Sequence, residues 1–313
     1  MEDRKSASRF RKLGLSLKAR WQLLAMVVIP LAYIIVFHYI PMLGIQIAFK
    51  KYDFRKGIWG SPWVGLYQFE RLIKSYQFTR IITNTLRLSL YGLLAGFPVP
   101  IIFALMLNAM PYMRYKKAVQ TITYMPHFIS TIVMVGILMQ IFNIRIGIYG
   151  ILGKLFTGSA PPDLFAMPNA FPHMYVWSGI WQGLGWNSII YIAALAGIDP
   201  ELYEAAIIDG ASRFQRLVYI DLPGITSTIS ILLIMSVGRI LGVGFEKVYL
   251  MQNNLNLKTS EVISTYVYKV GLVTGGGDFS FGTAVGLMNS VVSFVMIYLV
   301  NKICRRLGGA SLW

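Results

Sequence analysis

Six stretches of this chain stay apolar long enough to cross a lipid bilayer: about 21–47, 82–110, 118–143, 172–197, 224–246 and 280–302. A crossing helix needs roughly 20 mostly apolar residues. Away from water, the backbone of such a segment must close its own hydrogen bonds, which selects helices. The sequence therefore predicts an all-α polytopic membrane protein with about six transmembrane helices. Residues 21–313 form one transmembrane domain, since the longest loops have only about 30 residues, too few for a soluble domain. Pro30 and Pro41 should kink the first segment rather than end it. Pro126 and His127 interrupt the start of the third.

Composition agrees with this class. The chain is 56% hydrophobic and only 13% charged, with a mean hydropathy of +0.58. Its net charge of +16 raises nucleic acid as a partner. That reading is rejected, because the basic residues are scattered over tails and loops between apolar spans, where they face anionic lipid headgroups. The single cysteine, Cys304, rules out an internal disulfide and reads as a small filler at the end of the last segment. Residues 1–20 read as a basic cytoplasmic tail that stays attached, since no small-residue cleavage site follows. An even number of spans places both termini on one side. With residues 1–20 inside, inner segments carry 15 Lys and Arg and outer segments carry 12. That difference is too small to fix orientation. Residues 61–73, with Trp63 and Tyr67, predict a short amphipathic helix at the interface.

Between the fourth and fifth apolar segments lies a charged stretch with helix-end signals, residues 198–223. Asp199-Pro200 is a helix start, with an N-cap carboxylate followed by Pro at the first helical position. Glu201 and Glu204 follow, where the helix dipole favours negative charge. Gly210, after Asp209, is placed to end that helix in a left-handed turn. Ser212 and Gln215 have the spacing of a capping box that opens a second helix. Pro223 closes it. Ala205, Ala206 and Ala211 keep the protrusion slim enough to enter a groove on a partner.

The order Glu204-Ala205-Ala206, three residues, Gly210, nine residues, Ile220, one residue, Leu222-Pro223 resembles the EAA loop of ABC-importer permeases. Every fixed position is filled. Tyr191 to Leu195 and Ile198 to Glu204 look like the carbohydrate-uptake branch of that family, the maltose and multiple-sugar type. Phe37-His38-Tyr39-Ile40-Pro41, and the stretch from Asp278 to Leu312-Trp313, look like its complex-oligosaccharide, lipoprotein-linked subgroup. The resemblance covers nearly the whole chain. It implies a type I importer permease of MetI-like fold in a bacterial cell membrane, with both termini cytoplasmic. It also implies four kinds of partner: a second, homologous permease, two cytosolic ATPase subunits, an extracellular solute-binding lipoprotein, and an oligosaccharide. ATP and Mg²⁺ belong to the ATPase, which docks on residues 198–223.

Gly147 to Leu155 has the wrong spacing for a phosphate loop, and Leu155 stands where Mg²⁺ needs Ser or Thr. His38, His127 and His173 lack metal-ligand spacing and read as packing or interfacial groups. No catalytic constellation is present, so neither a cofactor of this chain nor a membrane-embedded enzyme is expected. Polar residues inside spans are candidates for a substrate path. They are Arg87 and Arg239, then Gln182, Trp186, Asn187 and Tyr191 on the fourth segment, and Asn289 on the sixth. Arg239 stands near the middle of the fifth segment among glycines. Aromatic rings stack on sugar C–H faces and amides bond hydroxyls, although helix–helix hydrogen bonding explains the same residues. Lys50, Lys51, Arg55 and Lys56 form a basic outer patch suited to an acidic binding protein or substrate. An importer of a non-sugar solute is an alternative. An ion-driven secondary transporter is another, but the sequence shows no inverted repeat, broken helices or acidic residues within spans.

Overall fold

The computed structural model describes residues 21–239, 242–273 and 277–306. The expected tail 1–20, the glycines at 275 and 276, the final Leu312-Trp313 and the Cys304 side chain lie outside the described residues. Regular structure among the described residues is helical, apart from one antiparallel bridge between Lys50 and Trp63.

The first helix, α1 (Trp21–Phe49), runs unbroken. Pro41 removes an N–H, and its ring crowds the preceding turn. The helix absorbs this with a wider π turn at Ile35–Tyr39 and a tighter 3-10 stretch at Leu43–Phe49. No residue of Trp21–Met42 is buried. A short helix α2 (Tyr67–Ile73) follows, beginning later than the expected start at residue 61. The preceding stretch is extended instead, because Lys51 N–H donates to Pro62 O and Val64 N–H to Phe49 O. Next come α3 (Phe78–Asn108), α4 (Met113–Phe128), α5 (Thr131–Ile141) and α6 (Ile148–Thr157). Gly147 caps α6, so the pseudo-phosphate-loop stretch is a helix rather than a loop.

The fourth apolar segment is α7 (Ala170–Ala196), the central helix. It packs on α3 and α4. A Cβ on Gly185 would lie 2.4 Å from the Thr123 carbonyl oxygen of α4. Lipid supplies no hydrophobic drive between helices, so such close contact of small residues carries the packing. After α7 come α8 (Pro200–Ile208), α9 (Arg213–Gly224), α10 (Thr226–Gly238), α11 (Phe245–Met251), α12 (Ile263–Tyr268) and α13 (Phe279–Arg306). The last of these packs against α2, α10, α12 and the end of α1.

The expected uninterrupted helices at 118–143 and 224–246 are corrected. The axis turns by 101° between α4 and α5 and by 59° between α9 and α10. Pro126 sits in a 3-10 turn, Ile129 is extended, and the Ser130 hydroxyl accepts from Val133 N–H to start α5 afresh. At the other break Ile225 leaves helical geometry and is fully buried. Within the fifth segment α10 ends at Gly238, residues 242–244 are not helical, and α11 begins at Phe245. Broken helices are therefore present, contrary to expectation. Among the described residues, three helices are long and apolar enough to cross a membrane, or up to five if each bent pair is one span.

Three clusters hold the body together. Leu88, Met134, Phe171, Val248 and Val262 join α3, α5, α7 and α11 at the end far from α8. Ile101, Leu105, Tyr191, Leu195 and Ile225 join α3 to α7 at the near end. Leu72, Ile81, Ile263, Phe281 and Val285 fix α2 and α12 against α3 and α13. The loop before α12 is tied down by polar groups. Glu261 is buried and pairs with Arg80, and Asn84 Nδ2 donates to the Lys258 and Glu261 carbonyls.

Candidate functional site

The stretch 198–223 folds as its end signals dictate. Asp199 accepts the Glu201 N–H and Pro200 opens α8. Gly210 has φ +76°, and only glycine takes that value without strain. Ser212 and Gln215 close a reciprocal capping box that starts α9. Glu201, Glu204, Ala205, Asp209 and Gly210 are exposed, while Ala206 and Ala211 are half-buried. The backbone of Ala211 donates to Ala206 O, stiffening the corner. Ile220 lies in a π turn, and Leu222-Pro223 leads into the hinge at Ile225.

The exposed face of α8 thus stands on a tether. Tyr203, half-buried on the other face, donates its hydroxyl to Asp221 Oδ1, and Asn108 Nδ2 donates to the same oxygen at 3.2 Å. Burial and the Asp221 carboxylate push the Tyr203 hydroxyl up to about 12, so it stays a donor at neutral pH. The sequence reading missed Asp221, the unassigned residue between Ile220 and Leu222.

A cavity of about 860 Å³ opens between α3, α7, α10 and the residues Arg239, Gly242 to Gly244 and Lys247. Gly92, Gly96, Gly179, Gly242 and Gly244 line it, and their missing side chains keep it open. Of the sequence candidates, Arg239, Gln182, Trp186, Asn187 and Tyr191 are on its wall. Arg239 caps the end of α10 rather than standing in mid-helix. Gln182 also donates to Ile129 O at 2.8 Å, bracing the break between α4 and α5. Trp186 stacks on His127 at 4.3 Å. Tyr191 is almost wholly buried and serves mainly the core.

Arg87 and Asn289 are not on that wall. Arg87 is exposed on another face of α3 from Leu88, Ser89 and Gly92. Asn289 is half-buried on α13, its Oδ1 enclosed without a hydrogen-bond partner. Conversely, the cavity includes Lys247, which lies just past the fifth apolar segment and was not among the candidates. Its Nζ donates to Tyr175 O at 2.7 Å and lies 4.8 Å from the Tyr175 ring centroid. A run of glycines beside two cations, Gly238 to Lys247, was the available signal. No carboxylate lines the cavity among the described residues.

The basic outer patch is divided. Lys51, Arg55 and Lys56 are exposed, but Lys50 is buried, donates to Ile58 O at 2.7 Å and sits over the Trp63 ring. Lys50 is a structural residue, and the expectation that it docks a partner is corrected.

Residues 96–308 match the family described as "Binding-protein-dependent transport system inner membrane component". The chain belongs to that family. This permease is 42% identical over 278 residues to Protein LplB of Bacillus subtilis (strain 168), covering 88% of this chain and 86% of the relative. It is 40% identical over 281 residues to the "Polygalacturonan/rhamnogalacturonan transport system permease protein YteP" of the same organism, covering 90% and 87%. Among solved structures it resembles a chain of a bacterial ABC transporter "involved in the import of the acidic polysaccharide alginate". That match has a TM-score of 0.86 and 39% identity, covering 94% of this chain and 99% of the other. A further alginate transporter structure, "in complex with alginate pentasaccharide-bound periplasmic protein", matches with TM-score 0.85 and 38% identity, covering 93% and 96%. The fold is that of a binding-protein-dependent import permease, and the chain is a membrane-embedded transport subunit.

Proposed function

We propose that this permease forms half of the path by which an acidic oligosaccharide enters a bacterial cell. The observation that carries the reading is the cavity wall, with Arg239 and Lys247 present and no carboxylate among the described lining residues. A cation at membrane depth is costly unless water or an anion compensates it. Charge-assisted bonds to a carboxylate are about twice as strong as neutral ones, so a uronate-bearing sugar suits these two groups. Trp186 offers a stacking face, and Asn187 a donor and acceptor for hydroxyls. Relatives named for acidic polysaccharides support the assignment.

Six crossings then follow: α1, α3, α4 with α5, α7, α9 with α10, and α13. Both termini and the α8 corner face the cytosol. There α8 docks on one of two separate ATPase subunits, which bind ATP and Mg²⁺. A second, homologous permease completes the path, and an extracellular binding lipoprotein delivers the sugar. ATP binding draws the coupling helices together, and the packed helices switch the cavity from inward- to outward-open.

The assembled transporter in proteoliposomes tests the substrate. Binding protein loaded with a uronate oligosaccharide should stimulate ATP hydrolysis, while a neutral oligosaccharide of equal length should leave it at the basal rate. Equal stimulation by the neutral sugar contradicts the assignment. A second test concerns the outer patch. Reversing Lys51, Arg55 and Lys56 together should slow uptake most at low salt and little at about 0.5 M, where screening is strong. An unchanged uptake rate at low salt would remove the patch from the docking surface.

A further inference from the structure

We propose that Asp221 is the positioning residue that passes movement of α8 to both walls of the cavity, acting through Tyr203 and Asn108. The proposal rests on the reading above that α8 docks on the ATPase. A corner pushed from outside moves the spans only where it is tied to them. The exposed face of α8 offers no such tie. Its half-buried face has Tyr203, whose hydroxyl meets Asp221 Oδ1. Asp221 ends the π turn Leu217–Asp221 of α9, directly before the hinge at Ile225 and the cavity-lining α10. The same oxygen accepts from Asn108, the last residue of α3, whose earlier turns form the facing wall.

One carboxylate oxygen therefore joins α8 to α3, which lines the cavity, and to α9, which leads into the cavity-lining α10. Asp221 is buried and receives only neutral donors from these two residues. A buried carboxylate that loses a donor bears the desolvation cost of that loss, so the node favours one arrangement of the three elements over looser ones. A contact that is either made or lost turns a small displacement at one site into a switch at another.

The test uses the assembled transporter in proteoliposomes and reads sugar taken up per ATP hydrolysed. Tyr203→Phe removes one oxygen and leaves the ring packing intact. It should lower that ratio by about fivefold or more, the lower end of usual coupling effects. Asp221→Ala should do the same, and the double variant should be no worse than Asp221→Ala alone. Retention of the ATPase through purification should be unchanged in Tyr203→Phe. A normal ratio in Tyr203→Phe overturns the proposal. So does loss of the ATPase during purification of that variant, since the node would then hold the fold rather than transmit force. Ala205→Trp, on the exposed face, is the control for docking itself. If it loses the ATPase while Tyr203→Phe transports normally, only the node is wrong. If Ala205→Trp is fully coupled, the docking reading fails.

Discussion

Replacing Gly210 by valine should abolish ATP-driven uptake while leaving the protein in the membrane. The backbone there has φ +76°, where a β-branched side chain is a genuine outlier. Holding valine at that geometry costs on the order of 1–3 kcal/mol. A Cβ at this position meets no other atom within 4 Å, so the damage is confined to the backbone. The corner relaxes that strain by opening, and the angle between α8 and α9 is lost. The caps at Asp199 and Ser212 survive, so each helix persists without its fixed relation to the other. Either the ATPase no longer docks, or it hydrolyses ATP without moving the spans. Gly210→Asn, which tolerates left-handed geometry better, should retain more activity. Normal uptake together with a normal stimulated ATPase rate in Gly210→Val would refute this account of the corner.

The second large effect is expected at Arg239 and Lys247. Substituting Arg239 by Gln removes one charge from a wall with no carboxylate among its described residues. A hydrogen bond to a charged group contributes about 1.5–3 kcal/mol, which corresponds to about tenfold to a hundredfold in affinity. Uptake of a uronate oligosaccharide should weaken by that factor, mainly as a raised KM. Basal ATP hydrolysis should be unaltered. The Lys247→Gln variant should show a smaller effect, because its Nζ already spends one donor on Tyr175 O. Combining the two should push selectivity toward neutral sugars. An unchanged preference for acidic over neutral oligosaccharides in the double variant would exclude the pair from the path.

The two sites differed in how much of them was legible beforehand, and the difference is physical. The corner at 198–223 is set by local rules. A carboxylate before Pro200, a glycine at a helix end and a Ser212–Gln215 box each act within four residues, so they can be read from order alone. The cavity is set by which helix faces meet. Arg87 and Leu88 are neighbours in sequence but project from different faces of α3, and only Leu88 reaches the wall. The fifth segment reads as continuous because it stays largely apolar through residue 246, yet α10 ends at Gly238 and residues 242–244 are not helical. That break moves Arg239 to a helix end and brings Lys247 into the cavity. Asp221 went unassigned because its partners come from residues 108 and 203, which no local pattern connects.

The central claim is that this chain transports only when another chain hydrolyses ATP against its α8 corner. The direct measurement is uptake of labelled uronate oligosaccharide into proteoliposomes holding the permease pair and ATPase, with binding protein outside and ATP enclosed within. The account predicts uptake that requires ATP, stops when the ATPase cannot hydrolyse it, and is indifferent to proton or sodium gradients. Uptake by the permease pair alone, driven by an ion gradient without ATP, would contradict it.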